Sequence, residues 1–513
     1  MTKSLIKATL ISTFFILLCV SNGCTQPPRD DRLIISGPFE TISLDLARAG
    51  FIFSRLQIVE TLVEVNNEGE LKPGLATSWD SNQDATIWRF YLRPDVTFHN
   101  GTTMDAAAVV KSLQIALSKP TPFNRQLITN VSAIDAHTVE FRLQSTYRPF
   151  AAVLTNYTTA ILAPASFDDK GKVIKLLATG PYLMTEFDPP HMVRVSRFNQ
   201  YYGAKAHILH VDYITGHRPE SRALMVQGGS ADIVYNLDPA SVKLLKNSAE
   251  VSVNSTAIPR TILIKLNVAD PLLHSLELRQ ALSLAIDRKG IADGIMHLPG
   301  AEANQIFGPS MGIWHVSSLP VPAQDLNKAR ALLAADGWQP DSNGVLQKQG
   351  KSFTLSMVTY ANRPELVVIA TALQAQWAKL GITLDVQMEN ASAIPLGHTD
   401  GSLQTALMAR NFANIPDPLT VLLADFNTPQ GGDWGAMNWN DPAFFRLLQQ
   451  TTQATGADYE SDVQQLSTHL AQTLPMIPVL YYVQQSAVAK RVKGFSFDPY
   501  ERSFRIANME LHQ

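Results

Sequence analysis

Cysteine is almost absent from this chain, because only Cys19 and Cys24 occur among its 513 residues and both lie near the amino terminus. From residue 25 onward no side chain is able to form a disulfide, a thiolate metal site or a catalytic thiol. An excess of charge of one sign is also lacking, since 42 basic and 45 acidic residues give a formal net charge of −3. A nearly neutral chain gives no reason to expect a nucleic-acid partner.

Long apolar runs are confined to the amino terminus. Lys3 and Lys7 precede 13 largely apolar residues, Ala8 to Val20, which are too few to cross a bilayer as a helix because about 20 are needed. Residues 1–23 are therefore predicted to be a cleaved export signal. Cys24 follows small residues and resembles the acylated cysteine of bacterial lipoproteins, which implies a periplasmic protein anchored through Cys24. Ordinary signal-peptidase cleavage and a buried amino-terminal helix are the alternatives.

Motifs for catalysis are also scarce, with no HExxH, Cys-x-x-Cys, phosphate-binding glycine loop or Rossmann glycine pattern. Gly308 to Gly312 matches G-x-S-x-G, but its Pro309 and the loop predicted after Gly312 do not suit a strand–turn–helix nucleophile. The alternative interpretation, that the chain is a secreted hydrolase, depends on this match alone. His207 and His210 suggest a metal pair, yet a strand would place them on opposite faces. We expect surface or hydrogen-bonded histidines and no enzyme.

Hydrophobic periodicity predicts an α/β chain. Residues 353–357 alternate as in a strand, residues 366–380 carry apolar residues at helical spacing, and Gly381 ends that helix before the alternating run Ile382 to Met388. Such a βαβ unit places its two strands parallel in one sheet. Further helices are predicted at Leu276 to Ile286 and at Asp325 to Ala335, and the 45% apolar composition suffices for two or three domains.

Six sequence blocks along the chain have a characteristic order. They are Ile58–Val63 with Pro73–Trp79, Leu92–Gly101, Ala106–Leu113, Thr179–Tyr182, Arg197–Gly203 and Leu278–Arg288. The series resembles the bacterial extracytoplasmic solute-binding family 5, whose members deliver peptides, nickel chelates and similar compounds to ABC importers. The individual blocks have scaffold roles, such as the Asn100-Gly101 turn, so they indicate the fold rather than the ligand.

The resemblance implies an α/β, two-lobed periplasmic-binding-protein fold of type II, in the large class with an extra subdomain and a hinge between the lobes. Lobe I would comprise residues 24–264 with the extra subdomain at 79–179, lobe II residues 265–481, and residues 482–513 would return to lobe I. We expect the chain crossovers near Leu266-Asn267 and Tyr481-Tyr482. The implied partners are a small-molecule ligand and a membrane permease with its ATPase, and the protein is expected to be a monomer.

Residues 409–418 carry the prediction of ligand class. Dipeptide binders of the family have a Trp and an ammonium-binding Asp here, and the aligned residues are Asn411 and Asn414. Nickel-type binders have His-Arg-x-Trp, and Arg410 matches the Arg whereas Ala409 and Phe412 replace the His and the Trp. The resemblance therefore implies that Arg410 binds a ligand carboxylate and that Phe412 and Asn414 line the site.

Other expected ligand contacts are Phe123, at the position of a second nickel-type Trp, and Tyr157, near a position where that type has Arg. Arg48 and Arg55 would compensate for missing arginines. Core packing of both phenylalanines and a structural salt bridge for Arg410 remain alternatives.

We therefore expect the solute-binding component of an ABC importer that captures a small carboxylate-bearing solute, favoured as a nickel or other metal chelate. A dipeptide or oligopeptide binder and a ligand-sensing partner of a chemoreceptor or regulator are the alternatives. Nickel would enter only within the chelate, its ligands in the protein are not predicted, and no other cofactor is expected.

Overall fold

The computed structural model describes residues 31–512, so the predicted signal segment and Cys24 lie outside the described residues. The α-helices are α1 (Leu46–Arg55), α2 (Ala106–Leu117), α3 (Phe150–Val153), α4 (Pro219–Gln227), α5 (Pro239–Leu245), α6 (Leu276–Leu284), α7 (Leu326–Ala335), α8 (Pro364–Ala378), α9 (Ala393–Asp400), α10 (Leu419–Phe426), α11 (Pro442–Thr451) and α12 (Gly456–Thr473). None of the helices within residues 31–512 has the length and apolar character needed to cross a membrane.

The strands form one large sheet and several small ones. They are β1 (Arg32–Gly37), β2 (Val63–Val65), β3 (Leu71–Pro73), β4 (Ala76–Ser81), β5 (Ile87–Leu92), β6 (Ile128–Asp135), β7 (Thr138–Leu143), β8 (Tyr182–Asp188), β9 (Met192–Arg197), β10 (His210–Thr215), β11 (Ile233–Tyr235), β12 (Val251–Leu266), β13 (Gln339–Pro340), β14 (Leu346–Lys348), β15 (Lys351–Ser352), β16 (Thr354–Tyr360), β17 (Thr383–Glu389), β18 (Thr405–Asn411), β19 (Met476–Ala489), β20 (Val492–Lys493) and β21 (Glu510–Leu511). The large sheet has the order β17-β16-β18-β12-β19-β11-β1-β10-β9-β8.

The predicted βαβ unit is confirmed. Strands β16 and β17 pair in parallel, and α8 connects them. The helix buries Leu366, Ile369, Leu373 and Trp377 because their spacing of three and four residues places them on one face. Gly381 has φ +79°, which is the left-handed conformation expected at the end of this helix.

Two long strands, β12 and β19, join the halves of the large sheet. Residues 251–257 of β12 pair with residues 483–489 of β19, which also pairs with β11. After a register shift between Ala257 and Thr261, residues 261–265 of β12 continue to pair with residues 476–481 of β19, and residues 260–266 pair on their other side with β18. The second neighbour therefore differs along the pair, because β19 pairs with β11 at residues 486–488 and β12 pairs with β18 at residues 260–266. The predicted lobe boundaries at 264/265 and 481/482 remain predictions.

A separate four-stranded antiparallel sheet has the order β4-β5-β7-β6 and overlaps the region predicted as an extra subdomain, except that β4 begins at Ala76, before residue 79. Helix α2 lies against β6 and β7. The interior of this unit is aromatic, since Phe90, Phe141 and Phe150 are fully buried and have ring centroids 5.2–6.3 Å apart. Aromatic burial on this scale stabilises a small sheet that otherwise has one exposed face.

The fold shows where the G-x-S-x-G match and the two histidines lie. Residues 309–314 form short 3₁₀ turns interrupted by a kink at Met311 and Gly312, and no strand of the described residues leads into them. His207 and His210 do not share a strand, because β10 begins at His210. His210 lies 2.9 Å from Ser196 Oγ, and His207 lies 3.5 Å from Glu510. The prediction that both histidines lie in one strand is therefore wrong.

Candidate functional site

Three adjoining cavities are each lined by residues from 39–157 on one side and from 259–502 on the other. We call them the arginine cavity (about 310 Å³), the wide cavity (about 810 Å³) and the tryptophan cavity (about 440 Å³). Asn414 lines both the arginine and the wide cavity. Tyr500 lines both the arginine and the tryptophan cavity. The arginine cavity is therefore the link between the two larger spaces.

Four guanidinium groups line the arginine cavity, against one carboxylate, that of Glu501. They belong to Arg55, Arg260, Arg363 and Arg502. Arg55 donates from Nε to the Glu501 carbonyl oxygen at 2.8 Å and from Nη2 to Oε1 at 3.2 Å. Arg260 donates from Nη2 to Oε2 of Glu501 at 2.5 Å. Although burial opposes ionisation of Glu501, Arg260 and Arg55 hold the pKa of its carboxyl below the usual range.

Arg260 is the most deeply buried of these arginines, with a relative exposure of 7%. Its Nε and Nη1 have no hydrogen-bond partner within residues 31–512. Its guanidinium lies 5.1 Å from the ring centroid of Tyr482, and that of Arg363 lies 5.4 Å from the same centroid. Arg363 also donates to the Tyr482 hydroxyl at 3.0 Å. Tyr482 thus holds two cations side by side; the Glu501 carboxylate contacts Arg260, and the Glu365 carboxylate lies 3.8 Å from Arg363.

Arg410 lies on the wall of the wide cavity, as predicted for a ligand contact, but its guanidinium is already engaged. Nε and Nη2 both lie 2.7 Å from Oδ2 of the buried Asp425. The salt bridge that the sequence left as an alternative is therefore present. A contact between Arg410 and a ligand remains a prediction.

The buried Lys265 lies near this ion pair and interacts electrostatically with both of its members. Lys265 is fully buried, and its Nζ donates to the carbonyl oxygens of Gly432, Asp433 and Gly435 at 3.0, 3.2 and 2.7 Å. These three hydrogen bonds use every donor of the ammonium group. Burial lowers the pKa of Lys265 to about 7. Asp433 and Trp434 on the same loop line the wide cavity, so Lys265 positions part of the cavity wall.

The loop approaches Asp425 too closely for larger residues. A Cβ atom on Gly435 would lie 2.1 Å from the Asp425 carbonyl oxygen, and one on Gly432 would lie 2.3 Å from the Ala424 carbonyl oxygen. Glycine is required at both positions because backbone atoms cannot move away as a flexible side chain can. The loop, Lys265, Asp425 and Arg410 therefore form one tightly packed unit.

The remaining predicted site residues fall into two groups. Phe123 and Asn414 line the wide cavity, and Tyr157 lines the arginine cavity, with its ring centroid 6.3 Å from that of Phe51. Phe412 is fully buried, packs against Phe307 at 5.2 Å and lines none of the three cavities. Arg48 is exposed on α1 and also lies outside their walls. Both phenylalanines are buried in the same hydrophobic core, but only Phe123 also lines a cavity, so ligand contact by either residue remains a prediction.

Sequence reasoning missed Arg260, Arg363, Glu501 and Arg502. A signal for Arg363 was available, because this residue lies between β16 and α8 of the predicted βαβ unit. Ligands of α/β proteins bind at the carboxyl ends of such strands. No comparable signal exists for Arg260 and Glu501, which are 241 residues apart in sequence.

Comparisons with known proteins agree with this architecture. The sequence model of the bacterial extracellular solute-binding proteins, family 5 (middle), matches residues 70–433. The nickel-binding periplasmic protein of Escherichia coli (strain K12) is 25% identical over 452 residues, covering 83% of this chain and 85% of that protein. The dipeptide-binding protein of Pseudomonas aeruginosa is 24% identical over 475 residues, covering 85% and 86%.

A solved structure shows the same fold at low sequence identity. The NikA protein of Brucella suis, in complex with Fe(III)-EDTA, superposes with a TM-score of 0.85 at 20% identity and covers 94% of this chain and 100% of that chain. The α/β periplasmic-binding-protein fold predicted from the sequence is confirmed.

Proposed function

Because the chain belongs to the bacterial extracellular solute-binding proteins of family 5, we propose that it captures a small, carboxylate-bearing solute for an ABC importer. The observation that carries this proposal is the arginine cavity, where four guanidinium groups face one carboxylate. Arg363 and Arg502 also lie 3.8 and 3.1 Å from the carboxylates of Glu365 and Glu64, which are outside the cavity wall, so the wall itself is positive although the whole chain carries −3. Guanidinium groups bind carboxylates through two parallel hydrogen bonds, which makes a carboxylate the matching ligand group.

We favour a metal chelate over a peptide as the solute, because a peptide also brings an α-ammonium group that needs an acidic partner. Three of the five acidic residues that line the cavities already have a partner, and the other two, Glu68 and Asp433, are exposed to solvent. Glu501 contacts Arg55 and Arg260, Asp425 contacts Arg410, and Asp417 accepts from the Tyr459 hydroxyl at 2.6 Å. A polycarboxylate chelate has no ammonium group to neutralise.

A metal would arrive already bound to its chelator. Among residues 31–512 there is no group of three or more His, Cys, Asp or Glu side chains arranged to hold a metal ion. The protein would thus recognise the carboxylates of the chelator rather than the metal. Nickel is the favoured metal, and similarity to a nickel-binding relative supports that choice. A dipeptide is the second candidate, supported by similarity to a dipeptide-binding relative.

Calorimetric titration of Arg363→Met tests the proposal. The probes are Ni(II) with excess L-histidine, Ni(II) with citrate, and Ala-Ala without metal. We expect one of the nickel probes to bind, and Arg363→Met to weaken it by about 2–4 kcal/mol, the usual effect of removing one partner of a desolvated charge pair. Arg446→Met, at an exposed position of α11 outside the cavities, is the matched control. Tight binding of Ala-Ala alone would reject the chelate, and an Arg363→Met protein with unchanged affinity would reject the carboxylate site.

We also propose that the mature protein is a monomer that is anchored in the periplasm by acylation of Cys24 and that delivers its solute to a permease and its ATPase. The E. coli relative is a periplasmic protein, and the amino-terminal sequence supports export. Cys24→Ala should move the protein from the membrane fraction to the soluble periplasmic fraction without changing solute affinity. Membrane association that persists in Cys24→Ala cells would reject the anchor.

A further inference from the structure

A fourth cavity, of about 390 Å³, lies beside the long strands β12 and β19, and we call it the strand cavity. Its walls come from both halves of the large sheet. Leu237 and Val242 belong to the half that contains α5, Met296 and Leu298 belong to the other half, and Leu480 lies on β19. The size falls within the range of about 300–1,000 Å³ found for small-molecule sites. The largely apolar walls match an apolar ligand body.

The backbone around the strand cavity is unusual on both sides. Residues 290–296 form a π-helix that ends at His297, which has φ +56°. On the opposite wall Asn236 also has φ +56°. Both residues line the cavity. Left-handed non-glycine residues and π-helices are concentrated at ligand sites, because the strain is retained where it shapes a function.

Charged groups divide the strand cavity into two regions. Lys243, Lys246 and His297 line it and are exposed to solvent. Glu365 also lines it but is only 8% exposed, and its Oε1 lies 3.8 Å from Arg363 Nη1. The inner carboxylate therefore has a cation beside it, whereas Lys243 and Lys246, at the solvent side, form no ion pair with any residue of 31–512. An anionic group fits at the lysines and is repelled by Glu365 inside.

We propose that the strand cavity is a second ligand site, which binds a medium-chain or aryl carboxylate with its apolar part between the two halves and its carboxylate at Lys243 and Lys246. Such a ligand contacts both halves at once. It also contacts Tyr482, which lines the strand cavity while its ring is held against Arg260 and Arg363 of the arginine cavity. Occupancy therefore changes the affinity of the arginine cavity for its solute, since both sites depend on the same side chains.

Titration calorimetry with sodium octanoate tests this site in the full mature protein. We expect saturable binding of one octanoate per chain, weaker binding of octan-1-ol and none of octylamine. Lys243→Glu with Lys246→Glu should weaken octanoate binding by at least about tenfold, as expected for reversing the charges that a carboxylate contacts. Lys170→Glu with Lys172→Glu, at exposed positions remote from the cavity walls, should leave it unchanged.

Two further variants locate the ligand. Met296→Trp should fill the cavity and abolish octanoate binding, with unfolding followed by circular dichroism to confirm a native fold. Arg55→Met removes a lining residue of the arginine cavity and should leave octanoate binding unchanged. The proposal is overturned if octanoate does not saturate, if octan-1-ol binds as tightly, if the lysine reversal has no effect, or if Arg55→Met is the variant that loses binding. These results do not depend on the solute of the arginine cavity.

Discussion

Replacing Lys265 with methionine gives a sharp test of how the wall of the wide cavity is held. The ammonium group donates to three loop carbonyl oxygens in a fully buried position. Methionine has a similar length and no donors, so Lys265→Met leaves the carbonyls of Gly432, Asp433 and Gly435 without their partner. We expect solute affinity to fall about tenfold, near the value of one hydrogen bond from a charged donor, because Asp433 and Trp434 lose their fixed position.

The pH dependence of stability gives an independent measure. Burial lowers the pKa of Lys265 to about 7 from its ordinary 10.5. Between these values the unfolded chain holds the proton and the folded protein does not, so the free energy of unfolding rises with pH. The rise is about 2 kcal/mol between pH 7 and pH 9 for this single group. The free energy of unfolding of Lys265→Met should not show that rise. The difference in free energy of unfolding between the wild type and Lys265→Met should therefore change with pH.

Urea unfolding of both proteins at pH 7, 8 and 9, followed by circular dichroism, measures this difference. Lys111→Met, at an exposed position of α2, is the control and should follow the wild-type curve. A difference between wild type and Lys265→Met that stays constant across this range would refute the buried, easily deprotonated lysine. Unchanged solute affinity would refute its role in holding the loop.

Three further predictions concern the acid side of the stability curve, the backbone and the Arg410 pair. Burial lowers the pKa of His99 to about 4 from 6.5, so between these values the unfolded chain binds more protons than the folded protein. The free energy of unfolding should therefore fall by about 3 kcal/mol as the pH drops through this range. Urea unfolding of His99→Gln should not show this loss. Gly180→Ala should cost about 1–3 kcal/mol, because its Cβ would lie 2.2 Å from the Gln57 carbonyl oxygen, whereas Gly294→Ala, with no atom within 4 Å, should be nearly neutral in the same melts. Arg410→Ala should lower the melting temperature as well as solute affinity, since the buried Asp425 then loses its hydrogen-bonded partner; a change in affinity with an unchanged melting temperature would show that the pair does not stabilise the fold.

Part of the candidate site was predictable because it follows from local pattern. The apolar spacing of α8 and the glycine at 381 predict a βαβ unit without knowledge of any distant contact. That unit in turn indicates where its connecting loop lies, and Arg363 is in that loop. Phe123, Tyr157 and Asn414 were predicted as lining residues by resemblance and do line cavities.

Two residues predicted to contact the ligand, Phe412 and Arg48, do not line these cavities, and the position of such residues depends on distant partners. Phe412 and Phe123 are the same residue type and both are buried in the core, yet Phe412 packs against Phe307 and only Phe123 also lines the wide cavity. Arg48 was expected to border the cleft, but it does not line any of the three cavities, whereas Arg55, seven residues later on α1, lines one. Residue type alone does not distinguish these outcomes, since each depends on which other elements cover the position.

The sequence by itself determined the absence of disulfide and thiol chemistry, the α/β periodicity and the family, because composition, spacing and ordered blocks are properties of the linear chain. Only the tertiary structure decided that four arginines share one cavity with Glu501, that Asp425 forms a salt bridge with Arg410, and that Lys265 donates hydrogen bonds to the loop that carries Trp434. The physical reason is that charge pairing and burial act over a few ångströms in space, and folding brings together groups such as Arg260 and Glu501 that are 241 residues apart along the chain.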